Sequence, residues 1–284
     1  MKGPDFIIVG AMKCGTSTLQ AQLATTDGIF MTEPKEPNFF SDDDVFARGE
    51  SWYAGLYADA RPDDMLGEAS THYTKLPTYP KTVSRLAAAV PNPKIIYILR
   101  DPVQRAISHY MHGWSVGWFG DDPVTAVREH PEIIDYGRYG MQITPFVEQF
   151  GKGAIHLMSL EHLRANGDEE MGRLGTFLGL SRPLTWKTNL PKQNVSSERV
   201  RPLPMHGLLV SNPIATRLRR ILVPQGIRKR IRDARTMKTR PHLPDGLKRE
   251  LEDIFLKDRE VLSDLFPNHA VLSQSYPFAT QQTA

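Results

Sequence analysis

Three groups of residues in this chain have types and spacings that can do chemistry. The first is Lys13 with Cys14, Gly15, Thr16, Ser17 and Thr18, lying between Gly10 and a helical stretch. Glycines let a backbone come close to a ligand. A helix start offers unpaired N–H groups at the positive end of its dipole. Such a loop receives an anion, and phosphate is the usual one. Gly10 and Gly15 keep the G-x-x-x-x-G spacing of a nucleotide loop, but no Lys-Ser/Thr follows Gly15. The lysine stands inside the loop instead, at Lys13. That displacement predicts a nucleotide with a shorter 5′ chain, handled without an obligatory metal. An ordinary strand-to-helix turn with a solvated lysine is the alternative.

The second group is Arg100 with Ser108. Arg100 ends an apolar run, and Ser108 falls about two helical turns further on. A guanidinium grips phosphate with a planar fork, and a hydroxyl adds one bond. A local Arg100–Asp101 pair with a solvated serine also fits these residues. The third group is Thr32–Phe40, with Glu33, Lys35 and Glu36 ahead of Phe39 and Phe40. Pro34 and Pro37 exclude a regular helix there. The stretch is either a surface loop or part of a site.

The elements that must position these groups alternate. Phe6–Val9 and Lys94–Leu99 are continuous apolar runs, as in strands buried on both faces of a parallel sheet. Shorter strands are expected at Gly28–Thr32, at Met65–Tyr73 (ending in a polar turn) and at Ala154–Met158. Val103, Ala106, Ile107, Tyr110, Met111 and Trp114 recur at helical spacing behind Pro102. Further helices are predicted over Ser41–Tyr57, Thr82–Val90, Ile143–Phe150, Leu160–Ala165 and Met171–Leu178, with a polar excursion over Gly117–Tyr139. A long helix carries Leu247, Leu251, Ile254, Phe255, Leu262 and Leu265, and the tail from Gln274 is expected to fray. The result is an α/β fold: a P-loop-like, mainly parallel central sheet flanked by helices, with a helical C-terminal part.

At 284 residues the chain can bury a large core. Its net charge of +3 does not call for nucleic acid, and its single cysteine excludes an internal disulfide framework and gives no zinc pattern. No apolar run is long enough to span a membrane. The first strand begins at Phe6, leaving no room for a signal peptide, so a cytoplasmic protein is expected. The basic residues are uneven. Arg217–Arg240 holds ten lysines and arginines against the single acid Asp233, alongside Leu218, Ile221, Leu222, Val223, Ile227 and Ile231. That segment reads as a solvated helical face, an attractor for an anionic ligand, or a peripheral contact with the inner membrane surface.

Together these groups carry a resemblance. Gly10–Thr16 is similar to the 5′-phosphosulfate loop of sulfotransferases, and Leu99–Tyr110 is similar to their 3′-phosphate-binding strand and helix. Lys35-Glu36-Pro37-Asn38-Phe39-Phe40 resembles the Lys-Glu-x-x-Phe-Phe segment of the heparan-sulfate-type branch. The three follow in the family's order, over roughly Asp5 to Leu180. The resemblance implies the donor 3′-phosphoadenosine 5′-phosphosulfate (PAPS), with PAP as its product and no obligatory metal. It also implies in-line transfer of a sulfuryl group to a hydroxyl or amine of a carbohydrate, lipid or small-metabolite acceptor. Lys13 would neutralise the charge on the leaving side, and Gly15, Thr16, Ser17 and Thr18 would hold the 5′-phosphate. Glu36 would be the general base, with Glu33 a weaker candidate. One domain over 1–284 is implied, its core at about 5–180 and its donor loop and acceptor-side cover at about 181–275.

The chain departs from the family at Glu68-Ala69, where the glycosaminoglycan enzymes often carry Glu-Lys. That lysine is missing, and Ser70 or His72 faces the region instead. Glu68, His72 and His109 are therefore candidate acceptor contacts, and His72, His109 and His112 are alternative bases. Lys192–Arg201 stands as the late donor loop, with Arg199 or Arg201 adding charge to the 3′-phosphate. A P-loop kinase or NTPase with a variant loop, and a PAP-binding module without catalysis, are the competing classes.

Overall fold

The computed structural model describes residues 3–190, 199–200, 236–237 and 239–279, with the backbone alone at 199–200. Arg201 and most of Arg217–Arg240 lie outside the described residues. Five strands form one parallel sheet: β1 (Phe6–Gly10), β2 (Ile29–Met31), β3 (Met65–Ala69), β4 (Lys94–Leu99) and β5 (Ile155–Ser159). Their order is β2-β3-β1-β4-β5. β1 is buried at every position, and β4 at every position after Lys94, as their unbroken apolar runs predict. The chain fills one side of β1 before crossing to the other. Parallel pairing then places all five strand C-termini along one edge, where α/β sheets bind ligands.

Helix α1 (Thr16–Ala24) starts at Gly15, whose φ of 92° is in the left-handed region. A Cβ there would also come within 2.6 Å of Leu160 Cδ1, so this position requires glycine. Where one helix is expected over Ser41–Tyr57, two short ones form, α2 (Asp43–Phe46) and α3 (Glu50–Gly55). Gly49, at φ 83°, separates them, and Asp42 caps the first by accepting from the N–H groups of Asp44 and Val45. A 3₁₀ turn (Thr71–Thr74) and α4 (Thr82–Ala89) lead to β4. Helix α5 (Pro102–Val116) is capped by Asp101, which accepts from Val103 N at 2.9 Å and Gln104 N at 3.0 Å. The excursion after it contains α6 (Pro123–Glu129) and α7 (Glu132–Asp135).

Helix α8 (Tyr139–Phe150) starts four residues before the expected Ile143. Its cap is not local. Asp258 accepts from Gly140 N at 2.7 Å and Met141 N at 2.9 Å, reaching over from the long helix. After α9 (Leu160–Ala165) and α10 (Gly167–Leu178), Arg199–Val200 (β6) pairs antiparallel with Thr236–Met237 (β7). Helix α11 (Asp245–Leu265) packs along α8 and buries Leu247, Leu251, Phe255 and Leu262. A short α12 (Val271–Gln274) follows. From Gln274 to Ala279, the last described residue, the tail does not fray as expected, because Tyr276 and Phe278 are buried in the core. Among the described residues no helix is long and apolar enough to cross a membrane.

Candidate active site

A cleft of about 460 Å³ opens at the C-terminal edge of the sheet. Lys13, Gly15, Thr16, Ser17 and Thr18 line it from the β1–α1 loop, Arg100 and Ser108 from β4–α5, and Glu36 from the loop after β2. Residues 95 positions apart thus meet in one concavity.

The loop before α1 is tied down by backbone bonds from Ala11 N to Ile98 O (2.9 Å) and from Cys14 N to Ala11 O (3.1 Å). Lys13 is left-handed, at φ 69°, an unusual state for a lysine that concentrates at functional sites. Gly15 supplies no side-chain cap to α1, whose Thr18 N donates to Gly15 O at 2.9 Å, and the positive end of the helix faces the cleft. Cys14 does not serve a ligand. Its amide is used within the loop, and its thiol is buried 3.4 Å from Tyr139 Oη. Burial pushes that thiol up to about 11, so it is inert at neutral pH.

Arg100 is not paired with Asp101, whose carboxylate caps α5 instead. Among the described residues no carboxylate comes within ion-pair distance of Arg100. Its Nη1 donates to Lys13 O at 3.3 Å, and its carbonyl accepts from Tyr139 Oη at 2.9 Å. Two further arginines gather here that sequence reasoning missed. Arg164, from α9, lines the cleft, and Arg240 donates to Gln104 O at 2.8 Å on the first turn of α5. Burial and then the charge of Arg100 lower the pKa of both. Three guanidiniums close enough to repel one another raise the positive potential at this end of the cleft. Arg240 ends the basic segment, but nothing in its local pattern set it apart. Arg199 has its backbone in β6, beside α5, and Arg201 lies outside the described residues.

Glu36 is left-handed at φ 60°, and its N–H donates to Ala69 O at 3.0 Å. Its Oε1 accepts from Lys35 Nζ at 2.6 Å and Thr71 Oγ1 at 3.3 Å. Burial alone would raise its pKa. Lys35, then Lys75 and His72, outweigh that and hold the carboxyl below the usual range. Phe39 and Phe40 anchor the loop, Phe39 stacking on Tyr53 at 4.5 Å.

Glu68 and His109 do not reach the cleft, which corrects the expectation that they touch an acceptor. Glu68 is fully buried. It accepts from Ser70 Oγ at 2.6 Å and from Tyr53 Oη, and Ser70 Oγ in turn accepts from Asn38 N at 3.0 Å. Tyr73, another partner of Glu68, accepts from Phe40 N. Glu68 therefore supports the Glu36 loop from beneath. His109 faces the core because it stacks on Tyr136, and burial with Arg105 pushes its pKa to about 2. His72 does line the cleft, stacked on Tyr79, and burial with Lys75 holds it at about 4. His112 lines the cleft one turn after Ser108. Lys75, Trp118 and Trp186 line it too, from segments whose sequence carries no motif.

Comparison with known proteins agrees with this geometry. Residues 3–257 match the family model described as a sulfotransferase domain. Mouse heparan sulfate glucosamine 3-O-sulfotransferase 3B1 is 29% identical over 196 residues, covering 65% of this chain and 48% of its own. The membrane-associated sulfotransferase kil1 of Dictyostelium discoideum is 35% identical over 118 residues, covering 40% of this chain and 24% of its own. The chain thus spans half or less of the length of these curated relatives. The crystal structure of a sulfotransferase from Alicyclobacillus acidocaldarius shares the fold, with a TM-score of 0.67 at 24% identity, over 93% of this chain and 96% of that one.

Proposed function

Because the chain belongs to the sulfotransferase family, we propose that it moves a sulfuryl group from PAPS to a hydroxyl or amine of a carbohydrate, lipid or small-metabolite acceptor, working as one domain over 1–284. The observation that carries this reading is that Lys13 with its loop and Arg100 with Ser108, two groups suited to anions, line one cleft together with Glu36. A donor with a 5′-phosphosulfate and a 3′-phosphate needs two such sites, and the residues present fit it. PAPS supplies an activated sulfuryl group on a phosphate leaving group.

The chain's own residues then divide the work. The N–H groups at the start of α1, with Thr16, Ser17 and Thr18, hold the 5′-phosphate. Lys13 neutralises charge growing on the leaving side. Arg100 and Ser108 bind the 3′-phosphate, and Arg164 and Arg240 add to its field. In this reading Arg240 takes the part first given to Arg199 or Arg201, since its side chain reaches α5. Glu36, ionised at neutral pH, takes the acceptor's proton as the acceptor attacks. Positioning supplies much of the remaining rate. The likeness to heparan sulfate enzymes supports a carbohydrate acceptor.

The test is titration of the full chain with PAP and with ATP plus Mg²⁺, followed by incubation of labelled PAPS with fractionated host extract. PAP binding and label transfer are expected. Mg²⁺-dependent ATP turnover without PAP binding would overturn the reading in favour of a kinase or NTPase.

A further inference from the structure

Among the described residues Glu36 has one lysine, Lys35, as its direct partner, and the cleft holds another, Lys75, that makes no ion pair. Lys75 follows the 3₁₀ turn after β3. It is only 9% exposed, yet it lines the cleft with Glu36 and His72. Among the described residues no carboxylate comes within ion-pair distance of its ammonium. What it has instead is the ring of Tyr136, whose centroid is 5.6 Å from Nζ. Enclosing an ammonium without a direct ion pair is costly, and Glu36, which acts on it from further off, is already bonded to Lys35. Such an arrangement persists where a ligand brings the missing charge.

The backbone around Lys75 is pinned on both sides. Thr74 Oγ1 donates to Val9 O at 2.8 Å, inside the central strand. Leu76 N donates to Gln142 Oε1 at 2.7 Å, and Gln142 Nε2 returns a bond to Leu76 O at 2.9 Å. Gln142 is itself fully buried. A lysine present for solubility has no need of this mount. The charges around it also leave a remainder. Lys35 and Glu36 cancel across 2.6 Å, and His72 is neutral at physiological pH. Lys35 and Lys75 thus share one carboxylate, and these three groups together carry one net positive charge, whose ammonium without an ion pair is that of Lys75.

We propose that Lys75 is a specificity-determining residue, binding a carboxylate or other anionic substituent on the acceptor beside the group that Glu36 deprotonates. The inference rests on the sulfotransferase reading and narrows its acceptor to molecules carrying negative charge near the sulfated position. It also assigns a cation to this side of the cleft from a position, 75, that no motif marks.

The test uses the full chain saturated with PAP, as wild type, Lys75→Met and Lys75→Arg. The probes are p-nitrophenyl β-glucuronide and p-nitrophenyl β-glucoside, which share a frame and differ in one carboxylate. Wild type should bind the glucuronide about ten-fold or more tightly than the glucoside, as a charge-assisted bond allows. Lys75→Met should lose that preference and Lys75→Arg should keep part of it, with the Kd for PAP within about two-fold in all three as a check on folding. Equal affinities in wild type, no binding of either probe, or a preference intact in Lys75→Met would each overturn the proposal. Weaker binding of PAPS but not PAP by Lys75→Met would also overturn it, by moving the lysine's role to the sulfuryl group. Failure of wild type to bind PAP would strike the sulfotransferase reading instead.

Discussion

Arg100 donates from Nη1 to the carbonyl oxygen of Lys13, 3.3 Å away, so the two anion-binding groups are braced against each other. Tyr139 completes the brace, donating to Arg100 O and lying 3.4 Å from the Cys14 thiol. The spacing between these two groups, the proposed sites for the two ends of PAPS, is thus set by buried and part-buried contacts.

Lys13→Ala and Glu36→Gln should each remove most sulfuryl transfer. For Glu36→Gln the expected loss in kcat is roughly 10²- to 10⁴-fold, the usual worth of a general base, with PAP affinity retained. A transfer assay with labelled PAPS paired with PAP calorimetry checks both halves. Full turnover by Glu36→Gln would remove it as the base.

Arg100→Ala should weaken PAP about ten-fold or more, in line with one lost charge-assisted contact. Arg164→Ala and Arg240→Ala should have smaller effects in the same direction. All three should reduce the salt dependence of PAP affinity, since each removes a cation from one field. Calorimetry across a range of ionic strength reads this directly.

Glu68→Ala leaves Ser70 and the tyrosines around it without their acceptor, and it frees the loop that carries Glu36. A loss of about 1–3 kcal/mol in stability is expected. Urea melts measure it. Glu68→Gln, which keeps an acceptor oxygen, should recover part of both stability and turnover.

Asp258→Ala uncaps α8 and should cost about 1–2 kcal/mol. Asp258 does not line the cleft, but the amides it caps follow Tyr139, which braces Arg100, so the lowered urea midpoint should come with PAP affinity weakened less than in Arg100→Ala.

The pH dependence follows from two groups on the acceptor side. The pKa of Glu36 is depressed, so its basic form is present above that value and is lost as pH falls through it. The acid limb should lie below the ordinary carboxylate range of about 4.3, where His72, at about 4, also gains a proton. Lys75 is lowered to about 8 by burial, against the pull of Glu36 and with repulsion from Arg105 and Lys35. Its cation is present below about pH 8 and is lost above it. With an anionic acceptor, kcat/KM should fall above pH 8, and Lys75→Arg should abolish that limb. Profiles of the two proteins side by side decide the matter.

Much of the architecture was legible in short windows. The apolar runs of β1 and β4, the Pro102 helix and the Gly15 break each depend on residues within one or two turns of each other. Where windows misled, the decisive partner was distant. Nothing near Tyr139 announces that Asp258 will cap α8, and nothing near Gln274 shows that Tyr276 and Phe278 find a core to enter.

The same division runs through the site. By itself the sequence determined which residues can bind anions, Lys13 with its loop and Arg100 with Ser108, because each set is local and the α/β pattern delivers it to a strand's C-terminal end. It also marked Glu36 between its lysine and its aromatics. Tertiary structure alone decided which side chains face the cleft. Glu68 and Ser70, two apart on one face, turn inward because Tyr53 waits there, while Lys75 reaches the cleft beside Glu36, and Arg164 and Arg240 gather near Arg100 from separate segments. Periodicity says which face a residue occupies. What covers that face, and so whether a charge is buried, paired or offered to a ligand, is settled only when distant elements pack.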